Sequence, residues 1–144
     1  MDALFCFCFT SLKMELKIKA IIEIMGKPKE HVEETMRKVI EELSKRKNII
    51  IINKKVAKAK ELETFFSTYA DLEIKLTDLD ALIDFCFDFL PSSIEIIDPD
   101  DIILESAHLS SFMNDLLAKL HQQSMVIRNL HAENILIKQQ LNKI

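Results

Sequence analysis

The sequence predicts an α+β fold in which one antiparallel sheet with two helices is followed by a long helix. Residues 15–25 and 65–76 alternate apolar and polar side chains, as half-buried strands do. Residues 28–45 and 78–90 instead repeat apolar residues at three- and four-residue spacings, as amphipathic helices do. Residues 107–144 contain no glycine or proline and keep a helical spacing throughout.

The first half of the chain predicts a strand, a helix and a second strand. Gly26 and Pro28 separate the first strand from the first helix, because proline suits the first turn of a helix. That helix runs to about residue 45. Four consecutive isoleucines, residues 49–52, then predict a second strand that extends to about residue 59, because β-branched side chains favour strands.

The second half predicts a strand, a helix and a short strand. Residues 61–64 connect the second strand to the third, which covers residues 65–76. Thr77 with Asp80 three residues later resembles a capping box at the start of the second helix. Its predicted buried stripe is formed by Leu79, Leu82, Ile83, Cys86 and Leu90. Phe85, Phe87 and Phe89 lie outside that stripe, and we expect the last helix or another chain to cover them. Residues 94–97 form the last strand.

The resulting order, β-α-β-β-α-β, is that of a ferredoxin-like domain over residues 14–104. Right-handed crossovers place both helices on one face of the sheet and make the first and third strands central. The other face stays open, and in so apolar a chain we expect it to bind a second copy or a partner. Residues 1–13, rich in phenylalanine and cysteine, are a separate extension: either an upstream misread before a natural start at Met14 or an added edge strand or arm.

The last segment, residues 105–144, predicts an oligomerisation helix. Apolar residues recur at alternating four- and three-residue steps, a heptad pattern that keeps one seam towards a partner helix. The predicted seam contains Leu109, Met113, Leu116, Leu120, Gln123, Ile127, Leu130, Asn134, Ile137 and Leu141. With Leu109 at heptad position d, Asn134 occupies an a position, where a buried asparagine fixes register in parallel dimers. Glu133 and Lys138 take the g and e positions that meet between parallel chains.

Two interpretations of this helix remain open at the level of sequence. It pairs with its twin in a homodimer or larger homo-oligomer, or it lies along its own domain with Asn134 exposed. Leu117, Val126, Ile135 and Leu136 fall off the seam and indicate a wider apolar surface, for packing on the domain or for more than two helices.

Composition narrows the class of protein and its location. Hydrophobic residues make up 49% of the 144 residues, which suits a packed core, and the net charge is −4. Enrichment in lysine and glutamate resembles that of heat-adapted proteins. Cys6, Cys8 and Cys86 occur without a secretory signal, so we expect reduced thiols and a cytoplasmic protein. No apolar run is long enough for a membrane span.

No sequence motif indicates catalysis, and we expect no enzyme activity, metal or cofactor. His31, His108, His121 and His131 lack the i,i+4 spacing of a helical metal site. The acidic residues 98–101 lack the glycine and layout of a calcium loop. There is no glycine-rich phosphate loop and no nucleophile elbow.

A basic segment offers a different hypothesis, a nucleic-acid-associated protein. It contains Lys45, Arg46, Lys47, Lys54, Lys55, Lys58 and Lys60. Phe65, Phe66 and Tyr69 could add stacking surfaces, but the aromatic motif of RNA-binding sheets is missing. Charge runs more often mark solvated segments. The net charge of −4 also disfavours binding to a polyanion, so we do not expect nucleic acid as the main partner.

The element order with a Gly26-Lys27-Pro28 turn resembles the ACT branch of ferredoxin-like regulatory domains. The resemblance covers about residues 14–97. It implies a small-molecule sensor with a ligand site at a dimer interface, opened by the glycine after the first strand. On that resemblance, Gly26 is the ligand-turn residue. Our first hypothesis remains a non-catalytic homo-oligomer that acts as a scaffold or regulatory subunit and docks a further protein partner.

Overall fold

The structure is a computed structural model that describes residues 14–142. The predicted extension, residues 1–13 with Cys6 and Cys8, lies outside the described residues. The chain divides into two compact units between Ile102 and Ile103. The first unit carries the sheet and two helices, and the second carries the long helix.

The predicted order of elements is confirmed. The first unit contains β1 (Leu16–Gly26), α1 (Lys29–Lys45), β2 (Ile49–Val56), β3 (Lys60–Leu62), β4 (Phe65–Leu76), α2 (Leu79–Phe89) and β5 (Ser93–Asp98). The second contains α3 (Ser106–Leu141). One detail differs from the prediction, because the second strand ends at Val56 and the expected connection includes the short strand β3.

The sheet is antiparallel throughout, in the order β2-β4-β1-β5. β1 pairs with one edge of β4 from Phe66 to Leu76, so β2 and β3 follow one another along the other edge. The first and third long strands, β1 and β4, are therefore central, as expected. This α+β arrangement is consistent with the ferredoxin-like layout.

One face of the sheet and the two helices form the core. Alternate residues of the central strands are fully buried, because period-two alternation places them all on the helix side. The core from β1, α1 and β4 contains Leu16, Ile18, Ala20, Ile22, Val32, Met36, Ile40, Leu43, Ala70, Leu72, Ile74 and Leu76. The stripe predicted for α2 is correct only in part, because Leu79, Leu82 and Cys86 pack against the core while partly exposed and Leu90 is exposed. Ala81 and Phe85 are the buried residues of this helix, and the Phe85 ring stacks on Phe89 with centroids 5.7 Å apart.

The start of α2 also differs from the predicted capping box. Asp78, not Thr77, occupies the cap position, and its carboxylate accepts a hydrogen bond from the Ala81 N–H at 2.8 Å. Asp78 thereby satisfies one of the backbone donors that have no partner inside a helix. Leu90 follows the last helical residue as the C-cap. It has a left-handed backbone (φ 46°), and its N–H donates a hydrogen bond to the Cys86 carbonyl at 3.1 Å.

Candidate functional site

Helix α3 exposes its whole length. It has 36 residues, none of them buried, which gives a length of about 54 Å at 1.5 Å per residue. Glu105 precedes it at the cap position without a side-chain hydrogen bond. A single helix in water gains little stability from its own backbone, and most helices depend on packing of an apolar face. The exposed apolar surface of α3 is therefore the first candidate for an interaction site.

The predicted seam residues form an exposed stripe along this helix. Ile127 is 66% exposed, Leu141 is 64% exposed, and only Leu116 is partly buried. Gln123 and Asn134, the two polar positions of the seam, are exposed as well. Contiguous apolar surface of this kind marks interaction sites in proteins. The stripe is therefore an apolar surface that runs along α3 itself.

The off-seam apolar residues are exposed too, and they are unevenly distributed. Leu117 and Val126 occupy e and g positions, directly beside the seam, and both are exposed. Ile135 and Leu136 occupy b and c positions, farther round the helix, and are likewise exposed. The middle of α3 therefore has the broader apolar surface around one seam.

Most of the open face of the sheet, where we expected a second copy or a partner to bind, is charged rather than apolar. Three ion pairs lie on this side of the sheet: Lys17–Glu73, Lys19–Asp71 at 3.6 Å and Lys75–Glu15 at 2.7 Å. These side chains are partly solvated, so each pair contributes about 0–1 kcal/mol. Most of the open face is thus polar, and six of its charged side chains form ion pairs.

One end of the open face differs from the rest, and we call it the sheet-end cluster: Met25, Leu62, Phe65 and Tyr69 with Lys27. The four apolar and aromatic side chains are each 44–63% exposed. Leu62 lies directly opposite Phe65 in the sheet, and Met25 lies opposite Ser67, between the two aromatic residues. The Lys27 ammonium stands 5.4 Å from the centroid of the Phe65 ring. This end therefore combines exposed rings with a cation.

The predicted basic segment does not form one patch. Lys45 bonds Glu41 at 3.0 Å, which raises the pKa of Lys45 and lowers that of Glu41. Arg46 donates to the Asp88 carboxylate at 2.8 Å and stands 5.5 Å from the centre of the Phe89 ring. Arg46 thus links the end of α1 to the end of α2 and serves the fold.

The remaining lysines of the segment are exposed. Lys47 follows α1, Lys54 and Lys55 lie on β2, Lys58 lies in the break between strands, and Lys60 lies on β3. None of them forms an ion pair with another of residues 14–142. Lysines on an edge strand prevent unwanted pairing with another sheet, so Lys54, Lys55 and Lys60 can have a structural role.

A groove of about 500 Å³ runs between α1 and β2. It is lined by Glu33, Met36, Arg37, Ile40, Glu41, Ser44, Lys54 and Val56. A neighbouring groove of about 480 Å³ shares Glu33, Met36 and Val56 with it. The Glu33 carboxylate accepts the Ala59 N–H at 3.3 Å, so part of the lining holds the strand break in place. Acidic and basic side chains alternate along the grooves, which gives them no preference for one charge.

Gly26 is the last residue of β1 and does not have a positive φ. A Cβ atom placed on it would lie 3.5 Å from Cγ2 of Val32, an ordinary van der Waals contact. The turn therefore does not depend on a conformation or a close approach that only glycine allows. The ligand turn implied by the ACT resemblance gains no support from this geometry.

The described residues also bear on the requirements of a metal site, a reactive thiol and a membrane-spanning helix. Among residues 14–142, no group of three or more His, Cys, Asp and Glu side chains is placed to hold a metal ion. Burial raises the pKa of the Cys86 thiol, so it is less reactive than a free cysteine. Within the same residues, no helix is both long and apolar enough to cross a membrane.

These features define a class: an α+β domain with an antiparallel sheet, joined to a long helix that exposes an apolar stripe. The chain belongs to the MJ0538 family, whose sequence profile matches residues 17–143. The match covers the sheet unit and the described part of α3, so both belong to one family pattern. No curated protein matches the chain.

Proposed function

We propose that the protein is a non-catalytic, cytoplasmic homo-oligomer in which α3 pairs with α3 of a second copy. The pairing joins two sheet units in one assembly, which acts as a scaffold or regulatory subunit. The observation that carries this proposal is the seam of α3, which keeps heptad spacing over 36 residues and has no buried residue. Fractionation of native cells tests the location.

Polar positions on the helix support a parallel, in-register pair. Asn134 at an a position can bond its twin only when the two helices run parallel with equal register. Glu133 at g then meets Lys138 at the next e of the partner, and opposite charges at these positions favour that orientation. An antiparallel pair would bring Asn134 opposite an apolar residue and leave its amide without a partner.

The broader apolar surface in the middle of α3 supports a further role in assembly. Leu117 and Val126 flank the seam and widen the surface beyond what a two-helix contact covers. We propose that this surface docks additional helices or a protein partner.

Light scattering tests the proposal with the full chain. We expect a mass of about twice 16.7 kDa, or a higher multiple if further copies join. Leu116→Glu with Leu130→Glu places four carboxylates in a paired seam and should return the mass to 16.7 kDa. The matched control, Met125→Glu with Ala132→Glu, adds the same charge at f positions and should keep the oligomer. A wild-type mass of 16.7 kDa at high concentration would refute the proposal.

The ACT resemblance implies a second function, the sensing of a small metabolite at a dimer interface. The sheet order supports that resemblance at the level of fold, and fold alone does not establish function. A thermal-shift screen of metabolites tests it. A ligand that raises the melting temperature of the wild type but not of a Gly26→Leu variant would support a site at this turn, and no stabilising ligand would count against it.

A further inference from the structure

The sheet-end cluster differs from the rest of the open face in two respects that together indicate a ligand. Along most of the face, lysines and acids pair across strands. At the end, Phe65 and Tyr69 project from the same face of β4, and the nearby lysines on β2 and β3 have no ion pair among the described residues. Exposed apolar and aromatic side chains that lie next to one another commonly mark a binding site.

We propose that the sheet-end cluster binds single-stranded nucleic acid. Phe65 and Tyr69 stack on bases, while Lys27, Lys55 and Lys60 contact the phosphates. Stacking tolerates any sequence, because every base offers a flat face. The ligand class is therefore short single-stranded RNA or DNA rather than a particular sequence.

The spacing along β4 places the two rings far enough apart for each to stack on a different base. Phe65 and Tyr69 are four residues apart on one strand face, a distance of about 14 Å at 3.4 Å per residue. Lys60 lies opposite Ser67, between the two rings. Lys27 already stands over the Phe65 ring, and its flexible side chain can move to a phosphate when a base takes that place.

The local charge favours a polyanion although the whole chain carries −4. Lys55 and Lys60 lie on the face of the sheet that carries the rings, Lys27 stands beside the Phe65 ring, and the acid Glu23 lies directly opposite Tyr69. Asp71 opposes Lys55 in the sheet, but it already pairs with Lys19 on β1 at 3.6 Å. A duplex hides its base faces inside the stack, so the exposed rings favour a single strand over a duplex.

Fluorescence anisotropy with the full chain tests the proposal. The probes are labelled 12-nucleotide oligo-U and oligo-dT and a 12-base-pair duplex. We expect saturable binding of the single strands and weaker binding of the duplex. Tyr69→Ala or Phe65→Ala should weaken single-strand binding by roughly 5- to 150-fold each. Lys60→Ala should reduce the slope of log affinity against log salt by about 0.7, because one phosphate contact is lost.

Matched controls separate the site from general effects. Ile50→Ala removes an exposed apolar side chain at the other end of the open face, and Lys47→Ala removes a lysine outside the cluster. Both should bind like the wild type, and circular dichroism should show all variants folded. The proposal is overturned by no saturable binding at low salt, by equal binding of duplex and single strand, or by ring variants that bind normally. Capture of a protein by the same surface without oligonucleotide binding would also overturn it.

Discussion

Ile127→Ala should weaken dimerisation of α3 without destabilising a single chain. The side chain lies at an a position of the seam and is 66% exposed. Pairing of two helices can therefore bury about two thirds of its surface. Alanine lacks three carbon groups, worth about 2.4 kcal/mol when fully buried, and two thirds of that is about 1.6 kcal/mol per chain. Two chains lose about 3 kcal/mol, which raises the dimer Kd roughly 200-fold.

Sedimentation over a dilution series measures this Kd. Met125→Ala is the matched control, because Met125 is 64% exposed but occupies an f position that faces away from the seam. We expect the control to change the dimer Kd by less than about threefold, as surface substitutions usually do. Equal changes in Kd for both variants, or no change for Ile127→Ala, would refute the assigned seam.

Three further predictions concern the sheet unit and are measured by urea unfolding. Phe85→Ala should reduce the free energy of unfolding by about 3–5 kcal/mol, because the ring is fully buried and its loss leaves a cavity. Arg46→Ala should cost about 1 kcal/mol, because it removes the partly exposed bond to Asp88 and the contact with Phe89. Asp78→Ala should cost about 1 kcal/mol through loss of the α2 cap. A change below 1 kcal/mol for Phe85→Ala, or none for the other two, would contradict these contacts.

Local patterns sufficed to predict the long elements of this fold. Strict alternation in residues 15–25 and 65–76 predicted β1 and β4. Gly26 and Pro28 predicted the turn between the end of β1 and the start of α1. Short elements gave no such signal. Three residues contain too few positions to show a period, so the sequence predicts a connection where the structure has β3.

The surfaces were harder to predict because they depend on pairing between distant residues. Alternation placed Lys17 on the open face, but only the sheet register shows that Glu73 lies there to pair with it. The sequence places Arg46 in a basic segment and gives no sign of its partner, because Asp88 is 42 residues away. The sheet-end cluster likewise joins Met25 and Phe65 across two strands. The predicted stripe of α2 missed Ala81 and Phe85, although the exposed residues Asp80, Asp84 and Asp88 mark the polar face of this helix.

Cysteine cross-linking tests the parallel pairing of α3 most directly. The native Cys6, Cys8 and Cys86 are first replaced by serine, and one new cysteine is placed at Met113, Ile137 or Met125. Twins at seam positions of a parallel, in-register pair come close enough for a disulfide, which needs Cα atoms about 4.4–6.8 Å apart. We predict that Met113→Cys and Ile137→Cys each form a covalent dimer under mild oxidation and that Met125→Cys does not. Cross-linking that occurs only when Met113→Cys and Ile137→Cys chains are mixed would indicate an antiparallel pair and contradict the account. Equal cross-linking of Met125→Cys would contradict the assigned seam.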